Sequence, residues 1–384
     1  MKLNIGVIFG GKSVEHDMSI ITALQAMNNI DTDKYDITPI YITKDNIWYT
    51  GGCLRYIETF KDYDLIKRYA KRVNLINKDN RFILQSTTFL KREVSELHVA
   101  FPIVHGAGIE DGSIQGFLNI VGIPYIGSNV YSSAVSQDKA FVKQILVAND
   151  INTTKFVWFG ERYYQNKKSE LFKQIDKLKY PLIIKPATLG SSIGIEIIKR
   201  KEELDSTIER VFKYDSKVII EEKIEDVTEY NCSVLVTDNG NITSEIEKVT
   251  TNKDIVEYTD RMIIEDGSDS SIKREVPADI TESLRKEIET TSLHVFKMLN
   301  MRGSARIDFL YDNNNKTLYV DEVNSIPYCY AHHLWEKRNI SYKELLNIMI
   351  KEAIDRQVKS EEMIFTIDTD IIKNTTSTKL REMK

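Results

Sequence analysis

The chain has 384 residues, more than one ordinary hydrophobic core accommodates, so two or three domains are predicted. Hydrophobic residues make up 42% and charged residues 28%, the balance of a globular enzyme rather than of a disordered or membrane-spanning chain. Fifty-two basic side chains stand against 57 acidic ones, a net charge of −5 with both signs spread along the chain, which excludes a nucleic-acid scaffold. Met1-Lys2-Leu3-Asn4 leads straight into a short apolar strand, so no secretory leader is expected. Cys53, Cys232 and Cys329 lie far apart without paired ligand spacing, which predicts reduced thiols and a cytoplasmic setting.

Leu3–Phe9 is a short apolar run followed by Gly10 and Gly11, and Ile20, Ile21, Leu24 and Met27 then recur at helical spacing from about Asp17. Strand, glycine turn and helix open a doubly wound α/β sheet, and ligands bind at such turns. Glu15, at the helix entrance, reads either as a partner of the helix dipole or as the holder of a substrate ammonium. Tyr35–Tyr41 predicts a second strand, and residues 45–95 are mixed, with short strands such as Arg81–Leu84. Val99–Val104 predicts a third, buried strand. It runs into His105-Gly106-Ala107-Gly108-Ile109-Glu110-Asp111-Gly112, a glycine-rich, acid-bearing loop of the kind that forms a site at a sheet edge. A helix over Ser113–Ile120 and a strand over Ile123–Gly127 complete an N-terminal domain of residues 1–127.

Ser132–Val147 predicts one helix carrying Asp138, Lys139 and Lys143; a strand over Phe156–Phe159 and a charged helix over Lys167–Leu178 follow. Next, an apolar strand ends in Lys185 and leads into Gly190-Ser191-Ser192-Ile193-Gly194. Small residues let backbone N–H groups approach phosphate oxygens, and a lysine adds a point charge. The Walker pattern is absent, and a flexible turn is the other reading of this loop. Lys217–Glu222 predicts a strand with acids at its end, and Thr228–Val234 begins the next. Residues 252–275 are polar and aperiodic, the signature of an active-site lid. Glu282–Leu299 and Tyr342–Ile354 read as helices, and the chain turns polar after Asp355.

Arg306–Pro327 reads as two strands joined by Asp312-Asn313-Asn314-Asn315, residues suited to turn geometry. A hairpin centred near Asn315 sets Asp308 opposite Glu322 and Arg306 opposite Asn324. Alternation keeps each pair on one face. Opposed carboxylates repel, so they call for a cation, and an all-oxygen set with an added amide suits Mg2+. A surface hairpin with solvated charges is the bland reading of the same pattern.

Taken in order, G-G-K-S-V-E-H-D-M-S, H-G…E-D-G-S-I-Q-G, I-P-Y-I-G-S, D-K-A-F-V-K, K-P-A-T-L-G-S-S-I-G and R-I-D-F…E-V-N-S-I-P resemble the D-alanine–D-alanine ligase family of ATP-grasp enzymes, over roughly residues 3–355. The resemblance implies an α/β, three-domain ATP-grasp architecture. The N-terminal doubly wound domain would be followed by a central subdomain at 128–215, a C-terminal subdomain at 216–356 with the lid at 252–275, and a polar extension at 357–384. It implies ATP with Mg2+, two ions, or Mn2+ in their place. Lys139 and Lys185 would hold phosphates, and Gly190, Ser191 and Ser192 would cover them. Glu221, Glu222 and the backbone towards Ile224 would meet adenine, and Glu229 ribose. Asp308, Glu322 and Asn324 would hold metal, and Arg306 would stabilise an oxyanion. Glu15 would orient the amine of the first amino acid, with Ser191 in the network that keeps the lid closed, and His105 and Tyr328 would join the substrate pocket. Amino acids are the implied partners, with no nucleic acid or membrane, in a homodimer.

The departures gather on the second-substrate side. Tyr328 stands where the family has glycine. Cys329-Tyr330-Ala331-His332-His333-Leu334-Trp335 lacks the serine that binds the second carboxylate. Ile109 replaces a glycine, and in the lid Arg261 and Met262 replace a lysine and a tyrosine. Three readings follow: a D-alanine–D-alanine ligase serving peptidoglycan synthesis, a ligase of the same fold with another acceptor, or a nucleotide-binding regulator that no longer ligates.

Overall fold

The computed structural model describes residues 2–251 and 272–375. Residues 2–103 supply a seven-stranded sheet. Leu3–Gly10 lies parallel between Tyr35–Ile42 and Val99–Ile103, and it is buried from Ile5 onward, hence its unbroken apolar run. Beyond Tyr35–Ile42 the sheet continues through Trp48–Thr50, Lys71–Lys78, Arg81–Ser86 and Glu93–Leu97, all antiparallel. Only the first part of the sheet therefore follows the predicted winding. The expected strand Ile123–Gly127 is reduced to a single parallel bridge, Ala100 to Tyr125. The helices His16–Asn29 and Ser113–Val121 agree with the reading from spacing.

The helix predicted over Ser132–Val147 is two helices, Val130–Gln137 and Lys139–Ala148. Asp138 breaks it: its backbone is extended, and its carboxylate accepts from the N–H groups of Ala140 and Phe141 at 3.0 and 3.1 Å. An aspartate at this position caps a helix better than it continues one. The second helix thus begins at Lys139 and delivers Lys139 and Lys143, one turn apart, to one side.

The central sheet is antiparallel, ordered Glu196–Ile198, Leu182–Pro186, Lys217–Glu222, Phe156–Gly160. Lys217–Glu222 is thus bonded to central strands, although the division expected at 215/216 groups it with the C-terminal part. The charged helix spans Glu161–Ile175, earlier than predicted, with non-helical geometry at Lys167. This helix, the helix Leu204–Val211 and the sheet enclose a core that includes Phe159, Leu171, Ile184, Ile208 and Ile220.

A six-stranded sheet completes the fold: Ile272–Glu275, Glu247–Thr251, Val227–Thr237, Ser304–Asp312 and Thr317–Asn324 in that order, with Gly240–Thr243 beside Val227–Thr237. The helix Glu282–Met298 covers it, capped by Thr281. The last helix, Tyr342–Glu361, runs past the predicted Ile354. Its Leu345, Leu346, Met349 and Ile350 belong to the core of the first sheet, together with Ile326, Tyr330 and Trp335. The segment after the hairpin is thereby fastened to the N-terminal domain, which closes one end of the cleft. The expected lid lies outside the described residues apart from Ile272–Glu275, so Arg261 and Met262 are not placed. Among the described residues no helix is long and apolar enough to cross a membrane.

Candidate active site

Strands of the central and six-stranded sheets and the loops ending the N-terminal sheet line one cleft of about 570 Å³. On one wall Lys139, Lys143 and Lys185 meet Glu221, Asp321 and Glu322. Lys185 Nζ lies 3.4 Å from Asp321 and 3.6 Å from Glu221. Lys143 Nζ, fully buried, lies 3.2 Å from Glu221 and 3.6 Å from Asp321, and donates to the hydroxyls of Thr153 and Thr154 at 2.8 and 2.9 Å. Lys139 Nζ donates to the Leu189 carbonyl at 2.7 Å and sits 3.3 Å from Glu322. Burial works against charge on Lys185, but Asp321, Glu221 and Glu322 outweigh it and hold the ammonium protonated. The same lysines hold Asp321 below the usual carboxylate range despite its burial. Glu221 accepts from Thr154 through Oε2 at 2.7 Å, while among the described residues its buried Oε1 has no hydrogen-bond partner. Glu222, Ile224 and Glu229 line the cleft beyond it.

The hairpin has the register read from the sequence at its functional end: Arg306 pairs with Asn324 and Asp308 with Glu322. The route differs. Phe309 pairs with Val320, so Asp321 is an extra residue in a β-bulge. The turn is centred half a residue earlier than assumed, and the bulge makes up the difference. It also brings Asp321, which the sequence reading passed over, into the cleft beside Glu322. Arg306 grips Asp308 with two parallel bonds, Nε to Oδ1 at 2.6 Å and Nη2 to Oδ2 at 2.8 Å. Asn324 Nδ2 donates to Asp308 Oδ2 at 2.9 Å, which leaves its Oδ1 as the acceptor end of the amide. Among the described residues no three His, Cys, Asp or Glu side chains are placed to hold a metal by themselves. Two carboxylates and an amide on one wall fit Mg2+ that completes its shell with waters and phosphate oxygens.

At the mouth of the cleft Glu15 is buried and accepts from the Ser191 hydroxyl. Two glycines make room for it. A Cβ at Gly106, whose φ is +87°, would stand 2.8 Å from Glu15 Oε2 and 2.2 Å from the Ser13 hydroxyl; one at Gly190 would stand 3.1 Å from the same Oε2. Ser192 follows in left-handed geometry and lines the cleft. Glu110 accepts from the Gly106 N–H at 2.8 Å, and burial, then the nearby Glu15 charge, pushes its carboxyl up to about 8. His105 shares 3.1 Å with the Thr22 hydroxyl, and burial lowers it to about 4, so it is neutral. Ile109 is buried in the core of the first sheet.

Tyr328 lines the far side of the cleft. Cys329, Tyr330 and Ala331 follow, all with positive φ (46°, 53° and 49°), a left-handed turn without a glycine. The sequence reading missed the charged cluster behind this segment. Glu247, fully buried, accepts from Arg274 Nη1 at 2.9 and 3.0 Å and from Asn231 Nδ2 at 2.8 Å, and meets His333 Nε2 at 3.0 Å. Burial would raise Glu247, but His333 and Arg274 bring it below the usual range. These residues are scattered between 231 and 333, and no local spacing announces them. The two histidines differ in setting. His332 stacks on Tyr342 with centroids 4.5 Å apart and meets Glu336 at 3.1 Å.

Two family models cover most of the chain: the D-Ala D-Ala ligase N-terminus over residues 4–128 and the D-Ala D-Ala ligase C-terminus over residues 145–351. The D-alanine–D-alanine ligase of Thermosipho melanesiensis is 36% identical over 373 residues, 97% of this chain and 98% of that protein. Its counterpart in Thermosipho africanus is 38% identical over 370 residues, covering 96% and 98%. Among solved structures, the VanG D-Ala:D-Ser ligase of Enterococcus faecalis superposes with a TM-score of 0.78 at 29% identity, over 92% of this chain and all of that one. The D-alanine–D-alanine ligase of Coxiella burnetii does so with 0.79 at 28% identity, over 94% and 96%. Similarity at this level, along the whole length and over the same fold, means that the chain belongs to the D-alanine–D-alanine ligase family.

Proposed function

We propose that the chain joins two D-alanine molecules at the expense of ATP, the step that supplies the dipeptide of the peptidoglycan precursor. The reading rests above all on one observation: Arg306, Asp308, Glu322 and Asn324 line one cleft with Lys139 and Lys185, Lys139 lying 3.3 Å from Glu322, and the mouth of that cleft carries Glu15 and Ser191. The curated relatives favour D-alanine as acceptor over the other acceptors that the rebuilt 328–335 segment leaves open.

A carboxylate resists attack by an amine. Transfer of the γ-phosphoryl group to a carboxylate oxygen of the first D-alanine gives an acyl phosphate and ADP. The neutral amine of the second D-alanine then attacks the acyl carbon, phosphate leaves, and the amine's surplus proton passes to solvent or a nearby base. Lys139 and Lys185 would exchange Glu322 and Asp321 for phosphate oxygens. Glu221 Oε1, buried and among the described residues without a partner, would offer an acceptor to the adenine amino group, with Glu222 and the backbone towards Ile224 beside it and Glu229 at the ribose. Gly190, Ser191 and Ser192 would close over the phosphates. Asp308, Glu322 and Asn324 would hold Mg2+, which neutralises charge on the transferred group when bound. Arg306, with the Tyr328 backbone N–H, would steady the oxyanion. Glu15 would take the first ammonium, with His105 behind the substrates. We also propose, from family resemblance, a homodimer.

The test is phosphate release from ATP over a panel of D- and L-amino acids, with product masses. D-alanine alone should support release and yield the dipeptide. Release only with another acceptor selects a different ligase, and ATP binding without release under any condition selects a regulator.

A further inference from the structure

We infer that the acceptor amino acid is held by its carboxylate on a wall formed by Arg274 and His333, with the buried Glu247 as the residue that positions both. The inference deepens the ligase reading and rests on it. A carboxylate as buried as Glu247 is costly unless donors surround it. Here three elements supply them: Arg274 from Ile272–Glu275, Asn231 from Val227–Thr237 and His333 from His332–Glu336. Glu247 has no side-chain exposure, so it meets no ligand itself. Its donors do reach the cleft. The Arg274 side chain is 26% exposed, and that of His333 42%. Arg274 spends only Nη1 on Glu247; among the described residues Nη2 and Nε have no partner. A guanidinium fixed at one nitrogen, on a side chain that lines the cleft, suits a second, incoming carboxylate. His333 lines the cleft as well and is fixed through Nε2, and among the described residues its other ring nitrogen has no hydrogen-bond partner.

Location supports the assignment. Glu247 lies within electrostatic reach of Arg306, so this wall adjoins the group that would face the oxyanion. In an α-amino acid one carbon separates carboxylate from amine. A carboxylate held at Arg274 and His333 therefore delivers the amine next to Arg306, where the acyl carbon would sit. The donor amino acid has no use for this wall, because its carboxylate must face the nucleotide. His332 is excluded from the role by its stacking on Tyr342 and its contact with Glu336.

The assay offers ATP, D-alanine and D-alaninamide together, the last two equimolar, and reads D-alanyl-D-alanine against D-alanyl-D-alaninamide by mass. D-alaninamide cannot be activated, so it competes only as acceptor. The wild-type protein should favour the free acid at least tenfold. Arg274→Met and His333→Ala should each lower that ratio by roughly tenfold or more, the effect of losing a charged hydrogen bond, while the KM for ATP stays within about twofold. His333→Gln should recover part of the preference, and His332→Phe should keep it. Should Arg274→Met fail to fold, His333→Ala at its half-exposed position still decides. Variants that form peptide with an unchanged ratio, or a wild-type ratio near one, overturn the inference alone. A wild-type protein that forms neither product overturns the ligase reading and this inference with it.

Discussion

On the nucleotide wall three lysines and three carboxylates neutralise one another, at 3.2 to 3.6 Å, inside the protein. On the acceptor wall one carboxylate, Glu247, gathers three donors, all of which line the cleft. In the proposed reading the first arrangement holds buried cations against carboxylates that phosphate would replace, and for Lys185 those carboxylates keep the ammonium protonated. The second aims fixed donors at a ligand without replacing anything. A mobile, highly charged substrate needs compensation that can be exchanged; a small amino acid needs its orientation set beforehand.

The largest effect expected from breaking the comparison is at the hairpin between the walls. Asp308→Ala strips Arg306 of its bidentate partner and Asn324 of its acceptor, and turnover should fall roughly a thousandfold, read as phosphate release. Glu322→Ala should behave alike, and near-normal turnover in it would remove the metal assignment.

The next effect is on stability, with opposite signs at two buried carboxyls. Glu110 is raised to about 8 from an ordinary 4.5, so the folded state keeps a proton that the unfolded chain releases. Its contribution is complete below about 4.5 and fades as pH rises through 8. The melting temperature of the wild type relative to Glu110→Gln should fall over that window. Glu247 is lowered, so its contribution is present above 4.5 and is lost on acidification; relative to Glu247→Gln, the wild type should lose stability as pH falls. Melting differences that stay flat with pH would contradict both assignments.

The cap comes third. Asp138→Ala removes the oxygen that accepts from two N–H groups and the partner of Lys217 at 2.7 Å, and should cost about 1–2 kcal/mol in denaturant unfolding. It should also raise the KM for ATP, since this helix carries Lys139. The smallest change expected is His332→Phe. It keeps the stack on Tyr342 and gives up one half-exposed contact, so thermal stability should move by less than about 0.5 kcal/mol.

How far these walls were legible follows from how local their causes are. Arg306, Asp308, Glu322 and Asn324 lie on one hairpin, where a two-residue period and an Asp/Asn turn reveal facing pairs. The bulge at Asp321 escaped, because one extra residue leaves no mark in alternation when the turn is misplaced by half a step. Asp138 read as helix because its neighbours are helical on both sides, and its capping role shows only in the backbone. Glu247, Arg274, Asn231 and His333 meet by pairing between strands and by the return of the segment after the hairpin onto the first core. Their spacing in the chain says nothing of it, and the missing serine marked only where to look.

The measurement that bears most directly on the account is oxygen transfer. D-alanine labelled with 18O in its carboxylate is supplied with unlabelled ATP, and released phosphate and dipeptide are weighed. An acyl phosphate route predicts one labelled oxygen in the phosphate for each peptide formed. Peptide accompanied by unlabelled phosphate would contradict it.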